Sequence, residues 1–287
     1  MIFDETYTLS SGAKIPKLGL GTWFIDDDKA AQAVREAVKI GYRNIDTAQA
    51  YGNERGVGEG IRTCGIAREE LFIGSKVAAE IKSYDAAVKS IDETLEKMGL
   101  DYLDMMLIHC PQPWAEYNKT DNRYYAENLE VWRALEEAHK AGKLKGIGVS
   151  NFLEGDLRNI FDNCTVKPMV NQVLAHIKNT PFDVIDFCQK NDIVVEAYSP
   201  IAHGELLKNE AAGKMAEKYG ISIPQLCIKY TIQLGLVPLP KTVSPERMKE
   251  NSELDFVIGD EDMELLKNFD KIESYGKAGV FPVFGGK

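Results

Sequence analysis

Four side chains that can hold or move a proton follow apolar runs within the first 109 residues of the chain. Asp46 ends a short apolar run, and Tyr51 follows it by five residues, with the flexible Gly52 directly behind. Lys76 and His109 come directly after the next two apolar runs. A buried aspartate that caps a turn and a packed tyrosine are the plain structural alternative. An ionisable residue ends or follows each of three successive apolar runs, and this recurrence favours a catalytic group instead.

The chemistry available to this quartet is general acid catalysis at a carbonyl oxygen. A tyrosine has an ordinary pKa of about 10 and is a weak proton donor at neutral pH. A lysine ammonium about 4 Å away stabilises the phenolate by up to about 4 kcal/mol, and we therefore expect Lys76 to lower the pKa of Tyr51 by roughly three pKa units. Asp46 would keep Lys76 charged, and His109 would orient the substrate oxygen. Such a group suits a carbonyl that receives a hydride, and it needs no metal.

Alternating strand and helix patterns must position these residues. Eight near-continuous apolar runs, typical of parallel strands buried on both faces, cover residues 18–22, 43–47, 71–75, 104–108, 145–149, 168–172, 193–197 and 236–239. Amphipathic helix patterns cover 28–40, 83–98, 128–140, 181–190, 223–234 and about 260–272, and a further helix starts at Ser244. The alternation predicts one domain over residues 1–287, a (β/α)8 TIM barrel with an N-terminal β-hairpin plug at 6–17.

Barrel enzymes carry their chemistry at the C-terminal ends of the strands and in the loops that follow. The residues at those ends are Gly21, Thr22, Trp23, Asp46, Lys76, His109, Ser150, Asn151, Gln172, Tyr198, Ser199, Lys241 and Thr242. We expect the long segments 110–122 and 275–287 to be mobile binding loops, and Trp23 and Trp114 to form pocket walls. The loop after Tyr51 is expected to run to the glycines at 56, 58 and 60, whose spacing does not match a dinucleotide fingerprint.

Composition excludes several classes of partner. The net charge of −10 argues against nucleic acid and anionic membranes, and no apolar run reaches the roughly 18 residues of a membrane helix. The N-terminus lacks the pattern of a signal peptide, so we expect a cytoplasmic protein. Five cysteines without a C-x-x-C motif and histidines without ligand spacing predict reduced thiols and no metal site. We expect a small-molecule carbonyl substrate and a monomer, with a homodimer as the alternative.

Several motifs, in order along the chain, resemble those of the aldo-keto reductase superfamily. They are Gly41–Ala48 with Tyr51–Glu54, Leu107–His109, Gly146–Phe152 and Pro240–Thr242. The resemblance extends over essentially the whole chain and is greatest to bacterial enzymes that reduce keto sugar acids and reactive aldehydes. It implies a barrel fold and NADPH-dependent reduction of aldehydes and ketones. It also implies that Asp46, Tyr51, Lys76 and His109 form a catalytic tetrad with Tyr51 as the acid.

The same resemblance implies contacts with NADPH (NADP+). They involve Gly21, Thr22, Trp23 and Asp46, with Ser150, Asn151 and Gln172 at the nicotinamide carboxamide, Tyr198 stacked on the nicotinamide ring, and Ser199 at the start of a loop that covers the pyrophosphate. Those with the adenosine half involve Lys241, Thr242, Ser244 and Arg247 at the 2′-phosphate, and Glu250 and Asn251 at the adenine. The implied substrate contacts are Trp23, Tyr51, His109 and Trp114. A helix that starts at Ser244 and the donor fork of Arg247 suit a phosphate.

Three positions depart from the pattern of the superfamily. Cys110 stands where relatives often carry a bulky aromatic residue, which predicts a wider pocket floor. The run Val173–His176 lacks an acidic residue expected before the histidine, and His203 is unusual in the predicted covering loop. We expect Cys110 to be a buried, inert thiol, and His139, His176 and His203 to be structural or exposed.

Two other functions stay open at the level of sequence. A redox-sensing subunit could hold NADPH on the same barrel with negligible turnover, because a barrel does not specify a function. An unrelated barrel lyase or isomerase could use Lys76 as a Schiff-base nucleophile. In that lyase, the basic segment around Ser244 would have no role.

Overall fold

A computed structural model describes residues 1–285, and eight of its strands form one parallel sheet in chain order. The first two strands are β1 (Thr6–Thr8) and β2 (Lys14–Pro16), an antiparallel pair outside that sheet. The sheet strands are β3 (Gly19–Gly21), β4 (Asn44–Asp46), β5 (Phe72–Val77), β6 (Met105–Ile108), β7 (Ile147–Ser150), β8 (Val170–Leu174), β9 (Val194–Tyr198) and β10 (Val237–Leu239). The Gly21 N–H donates to the Pro240 carbonyl at 3.1 Å, so the first and last sheet strands meet and the sheet curls into a (β/α)8 barrel. The predicted fold class and all eight sheet strands are confirmed, with ends shifted by a few residues.

Most helices lie between consecutive sheet strands, two follow the last strand, and they bury their apolar faces on the barrel. They are α1 (Asp27–Ile40), α2 (Glu54–Thr63), α3 (Tyr84–Met98), α4 (Tyr125–Lys140), α5 (Glu154–Asn163), α6 (Phe182–Lys190), α7 (Glu210–Tyr219), α8 (Ile223–Gln233), α9 (Pro245–Ser252) and α10 (Asp260–Lys267). The end of α3 shows how the sequence sets these bounds, because Gly99 adopts a left-handed conformation just past its last turn. The helices α5 and α7 are absent from our sequence predictions.

The hairpin of β1 and β2 covers one end of the barrel, as predicted. Thr6 pairs with Pro16 across the hairpin, and Ile15 is fully buried. Ile15 packs in one apolar cluster with side chains of the barrel interior, among them Phe72 and Met105. Water is therefore excluded from the end of the barrel opposite the strand ends that carry chemistry.

The prediction of a loop after Tyr51 is wrong, because residues Glu54–Thr63 form helix α2. Glycine disfavours a helix on its own, but here α2 packs too closely on its neighbours for larger residues. A Cβ on Gly56 would overlap the Asp27 carbonyl of α1, and a Cβ on Gly58 would overlap the Met98 carbonyl of α3. The three glycines therefore serve helix packing, which fixes the base of the segment that carries Tyr51.

The two long irregular segments are held by their own contacts. The Gln112 side-chain amide donates to the carbonyls of Thr120 at 3.0 Å and Asn122 at 2.8 Å, and the Arg123 Nε donates to Asp156 of α5 at 2.9 Å. In the tail, residues 276–280 and 282–284 form short 3-10 turns, and Gly286 and Lys287 lie outside the described residues. Mobility of these segments stays a prediction.

Within residues 1–285, none of the helices has the length and apolar character that crossing a membrane requires. In the same range, no three side chains of the His, Cys, Asp and Glu types are arranged to hold a metal ion. The cytoplasmic location stays a prediction.

Candidate active site

A cavity of about 740 Å³ opens at the C-terminal ends of the strands. Sixteen of the predicted site residues line it: Gly21, Trp23, Asp46, Tyr51, His109, Trp114, Ser150, Asn151, Gln172, Tyr198, Ser199, Lys241, Thr242, Arg247, Glu250 and Asn251. Lys76, Thr22 and Ser244 do not line it. Thr22 instead donates its hydroxyl to the Asp46 carbonyl at 2.9 Å and so ties β3 to β4.

Lys76 lies under the cavity floor, fully buried and surrounded by oxygen atoms. Its Nζ is 2.6 and 2.7 Å from the two carboxylate oxygens of Asp46 and 2.8 Å from the Thr47 carbonyl. Burial alone would lower the pKa of Lys76, but the Asp46 carboxylate and the neighbouring Tyr51 favour the charged form and the net pKa is raised. Lys76 is therefore a fixed ammonium, as the sequence predicted.

Tyr51 is the group nearest to that ammonium on the cavity side. Its hydroxyl lies 3.4 Å from Lys76 Nζ, close to the separation assumed from the sequence. The expected net lowering of its pKa is nevertheless wrong, because burial raises the pKa of Tyr51 by more than Lys76 lowers it. Asp46 accounts for part of the difference, since its negative charge offsets that of the ammonium. Tyr51 thus keeps its proton at neutral pH and faces the cavity with it.

His109 stands across from Tyr51 and is buried. The two ring centres are 5.7 Å apart, and the Trp114 ring meets His109 edge-on at 5.1 Å. Burial lowers the pKa of His109 well below its ordinary value, and Lys76 lowers it further. Its Nδ1 has no hydrogen-bond partner among the described residues. A neutral imidazole beside the Tyr51 hydroxyl can position an oxygen atom but carries no charge.

Polar side chains from β7, β8 and β9 make a continuous network beside the tetrad. Ser150 donates to the Gln172 carbonyl at 2.9 Å, and the Asn151 amide donates to the His109 carbonyl at 3.0 Å. The Tyr198 hydroxyl donates to Asn151 Oδ1 at 2.8 Å. Gln172 lies inside β8 rather than at its predicted end, and its amide donates to Asp46 at 2.9 Å. These contacts hold a cluster of side-chain amides and an aromatic ring in fixed positions beside Asp46 and His109.

The far end of the cavity is basic and exposed. Lys241 and Arg247 line it with their side chains open to solvent, while Asn251 is buried beside them. Ser244 caps α9, and the predicted helix start there is confirmed, because its hydroxyl accepts the Arg247 N–H at 3.3 Å and donates to Glu246 at 2.6 Å. It is not part of the cavity lining, and its contact with a 2′-phosphate stays a prediction.

Two contributors were missed by the sequence analysis. Glu196 lies buried in β9 and accepts a hydrogen bond from Gln172 Nε2 at 2.8 Å. An acidic residue inside an otherwise apolar strand pattern was the available signal. His203, noted only as a departure, lines the cavity, and its ring meets Trp23 at 5.1 Å and Phe284 at 4.8 Å.

The other departures are structural in this fold. Cys110 is buried, and burial raises the pKa of its thiol to about 12, so it is inert as predicted. His176 is buried, and its Nε2 lies 2.9 Å from the Tyr275 hydroxyl, which ties β8 to the tail. Burial lowers the pKa of His176 to about 3 and leaves it neutral.

Comparison with known proteins identifies the family. A model described as the aldo/keto reductase family matches residues 17–271. The chain belongs to the aldo/keto reductase family. It is 40% identical to the glyoxal reductase of Bacillus subtilis (strain 168) over 274 residues, which is 95% of each protein. The predicted resemblance is confirmed.

Solved structures of aldo/keto reductases share the fold. The aldo/keto reductase from Brucella melitensis has 38% identity and a TM-score of 0.84, over 92% of this chain and 98% of that one. The Bombyx mori aldo-keto reductase in complex with NADP has 30% identity and a TM-score of 0.84, over 98% and 99%. As an aldo/keto reductase, the protein is an NADPH-dependent oxidoreductase, which confirms the predicted enzyme class and cofactor.

Proposed function

We propose that this aldo/keto reductase reduces small, uncharged aldehydes and ketones, with Tyr51 as the general acid. The observation that supports the proposal is the 3.4 Å separation of the Tyr51 hydroxyl from a fully buried Lys76 that is itself held by Asp46. NADPH, when bound, supplies the hydride to the carbonyl carbon. The side chains of this protein supply the proton and hold the carbonyl group in position.

In the proposed reaction, Tyr51 transfers its hydroxyl proton to the carbonyl oxygen as that oxygen gains charge. The phenolate left behind is stabilised by Lys76, and it takes a proton from solvent before the next turnover. His109, neutral and opposite Tyr51, holds the carbonyl oxygen by a hydrogen bond and so aligns it with the phenolic proton. Trp23 and Trp114 restrict the space on either side of that oxygen.

The residues present fit the cofactor, and we propose the contacts that hold it. Ser150, Asn151 and Gln172 form a polar cluster suited to the nicotinamide carboxamide, and the half-buried ring of Tyr198 lies beside them. At the opposite end, Lys241 and Arg247 offer charge-assisted hydrogen bonds to a 2′-phosphate. One cavity thus holds an amide cluster, an aromatic ring and two cations, which are the kinds of group that the carboxamide, the nicotinamide ring and the 2′-phosphate of NADPH would contact.

The preference for uncharged substrates comes from the lining of the catalytic end. Among the described residues, those that line the cavity beside Tyr51 include Trp23, Trp114, Phe281 and a neutral His109, whereas the Lys76 ammonium lies behind the Tyr51 hydroxyl and outside the lining. None of these four carries a cation that could pair with a substrate carboxylate. The name of the glyoxal reductase relative points the same way, because glyoxal is a small dialdehyde without a carboxylate.

The position of Lys76 and the architecture of the chain bear on the alternative functions and on the oligomeric state. Lys76 is fully buried, bonded to three oxygen atoms and outside the cavity lining, which argues against a Schiff-base lyase. One eight-stranded sheet runs through the described residues, so we also propose that residues 1–287 act as a single domain, and that this domain is a monomer. Light scattering coupled to size-exclusion chromatography tests that state.

Loss of NADPH absorbance with a panel of carbonyl compounds tests the function. We expect turnover with glyoxal and other small aldehydes, weaker turnover with simple ketones, and a higher KM for 2-keto acids. Faster reduction of a keto acid than of the aldehyde with the same chain length would contradict the substrate class. Binding of NADPH without turnover on any member of the panel would favour the redox-sensing subunit.

A further inference from the structure

The side-chain amide of Gln172 is held between two buried carboxylates. Its Nε2 donates to Asp46 Oδ1 at 2.9 Å and to Glu196 Oε2 at 2.8 Å. The three side chains come from β8, β4 and β9, and their residues are only 1%, 6% and 3% exposed. An amide nitrogen carries two hydrogens, so both are used by these two contacts.

This arrangement decides which way the amide points. When both carboxylates are ionised they only accept hydrogen bonds, so the amide then turns its NH2 group toward them and its Oε1 away. With the opposite orientation, Oε1 would face Asp46 and Glu196 and leave two buried acceptors without donors, which is costly. Gln172 also lines the cavity, so the oxygen is the group that it offers to a ligand there.

Asp46 and Glu196 differ in what else they do. Asp46 is paired with Lys76, whereas no cation lies within salt-bridge distance of Glu196 in residues 1–285. Burial, and then the charge of Asp46, raise the pKa of Glu196 to about 7, and the hydrogen bond from Gln172 opposes that rise. Glu196 is therefore a buried acid that has no cation to pair with but accepts a hydrogen bond from Gln172.

We infer that Glu196 is a positioning residue that fixes the Gln172 amide with its oxygen toward the cavity, so that the site accepts a hydrogen bond from the NH2 group of the nicotinamide carboxamide. The inference rests on the proposed function, because it takes Gln172 as a carboxamide contact. It goes further in giving the direction of that hydrogen bond and the residue that sets it.

The test compares NADP+ with its 3-acetylpyridine analogue, in which a methyl group replaces the carboxamide NH2. Dissociation constants come from quenching of tryptophan fluorescence, at a pH well above the pKa of Glu196. We expect the wild-type protein to bind NADP+ about fivefold more tightly than the analogue, since one hydrogen bond is at stake. In Glu196→Gln, the new amide can donate to Gln172 Oε1 and release its orientation, so the preference should fall by about threefold.

A matched control is available in Glu54→Gln. Glu54 is also buried, and burial raises its pKa, but it accepts from Ser75 at 2.7 Å and from Thr94 at 3.1 Å and has no contact with Gln172. This variant should keep the wild-type preference. A fall of equal size in both variants would assign the effect to the loss of a buried charge and overturn the inference.

Other outcomes separate this inference from the proposed function. Wild-type preference retained in Glu196→Gln would overturn the positioning role and leave the carboxamide site standing. No preference in the wild-type protein would overturn the assignment of Gln172 itself, while reduction of aldehydes would be unaffected. If Glu196→Gln does not fold, Glu196→Met removes the acceptor with similar volume, and an unchanged preference in that variant overturns the inference equally.

Discussion

The two ends of the cavity are built on opposite electrostatic principles. At the catalytic end, the charge of Lys76 is fully buried and compensated by Asp46, so that little net charge reaches the cavity. At the end with Lys241 and Arg247, which we propose binds the 2′-phosphate and call the phosphate end, both cations are exposed and have no salt-bridge partner within residues 1–285. The first end can shift the energy of a proton in a low-dielectric setting, and the second can attract a charged group through water.

The two ends also differ in how far apart their residues lie along the sequence. The catalytic end joins side chains from strands separated by many residues, so it exists only in the folded barrel. The phosphate end occupies residues 241–251, and its helix α9 begins with its own serine cap. We therefore expect changes at the catalytic end to affect folding and turnover, and changes at the phosphate end to affect cofactor affinity.

The largest expected effect is the loss of stability on breaking the buried pair. Lys76→Met leaves the Asp46 carboxylate buried without its cation, which costs about 3–5 kcal/mol in the free energy of unfolding at neutral pH. Urea unfolding followed by circular dichroism measures it. Lys143→Met is the control, because Lys143 pairs with Asp92 at the surface and its loss should cost less than about 1 kcal/mol. Equal losses of unfolding free energy in the two variants would contradict the claim that the buried pair matters more than the surface pair.

The next effect is selectivity between cofactors at the phosphate end. Charge-assisted contacts contribute roughly 1.5–3 kcal/mol each, and two of them discounted for exposure predict at least about 10²-fold tighter binding of NADPH than of NADH. Arg247→Ala should weaken NADPH binding by about tenfold and NADH binding little. Titration calorimetry at low and high salt measures both, and salt should reduce the preference.

The control for that experiment is Lys249→Ala. Lys249 has the same charge on the same helix and is exposed, but it does not line the cavity. A loss of NADPH affinity as large in Lys249→Ala as in Arg247→Ala would show that only the general field of the helix matters. Comparable dissociation constants for NADPH and NADH in the wild-type protein at low salt would refute the phosphate site.

A further effect concerns the pH dependence of stability and the acid Glu196 at the catalytic end. The pKa of Glu196 is raised in the folded chain from an ordinary 4.5 to about 7, so the folded state binds more protons than the unfolded state between these values. The wild-type protein should therefore lose stability relative to Glu196→Gln as pH rises from about 4.5 to 7, and little more above that. Urea midpoints of both proteins across this range measure it, and parallel curves would contradict it.

The sequence predictions were accurate where a local pattern decides the structure, and they failed where packing in three dimensions decides it. Apolar runs predicted the strands, and the strand ends predicted Asp46, Lys76 and His109 as neighbours, because barrel geometry brings such ends together. The sequence pattern predicted a loop where α2 lies, since its glycines are explained only by the close packing of α1 and α3. It also misjudged the pKa of Tyr51, because the balance between burial and a compensated ammonium depends on distances in three dimensions.

The most direct test of the account is Tyr51→Phe, measured separately for binding and turnover. The variant removes the proposed proton donor and leaves Lys76, Asp46 and the cofactor contacts in place. We predict that kcat for an aldehyde falls by at least about 10²-fold while the dissociation constant for NADPH stays close to wild type. Turnover by the phenylalanine variant near the wild-type rate would contradict the assignment of Tyr51 as the acid.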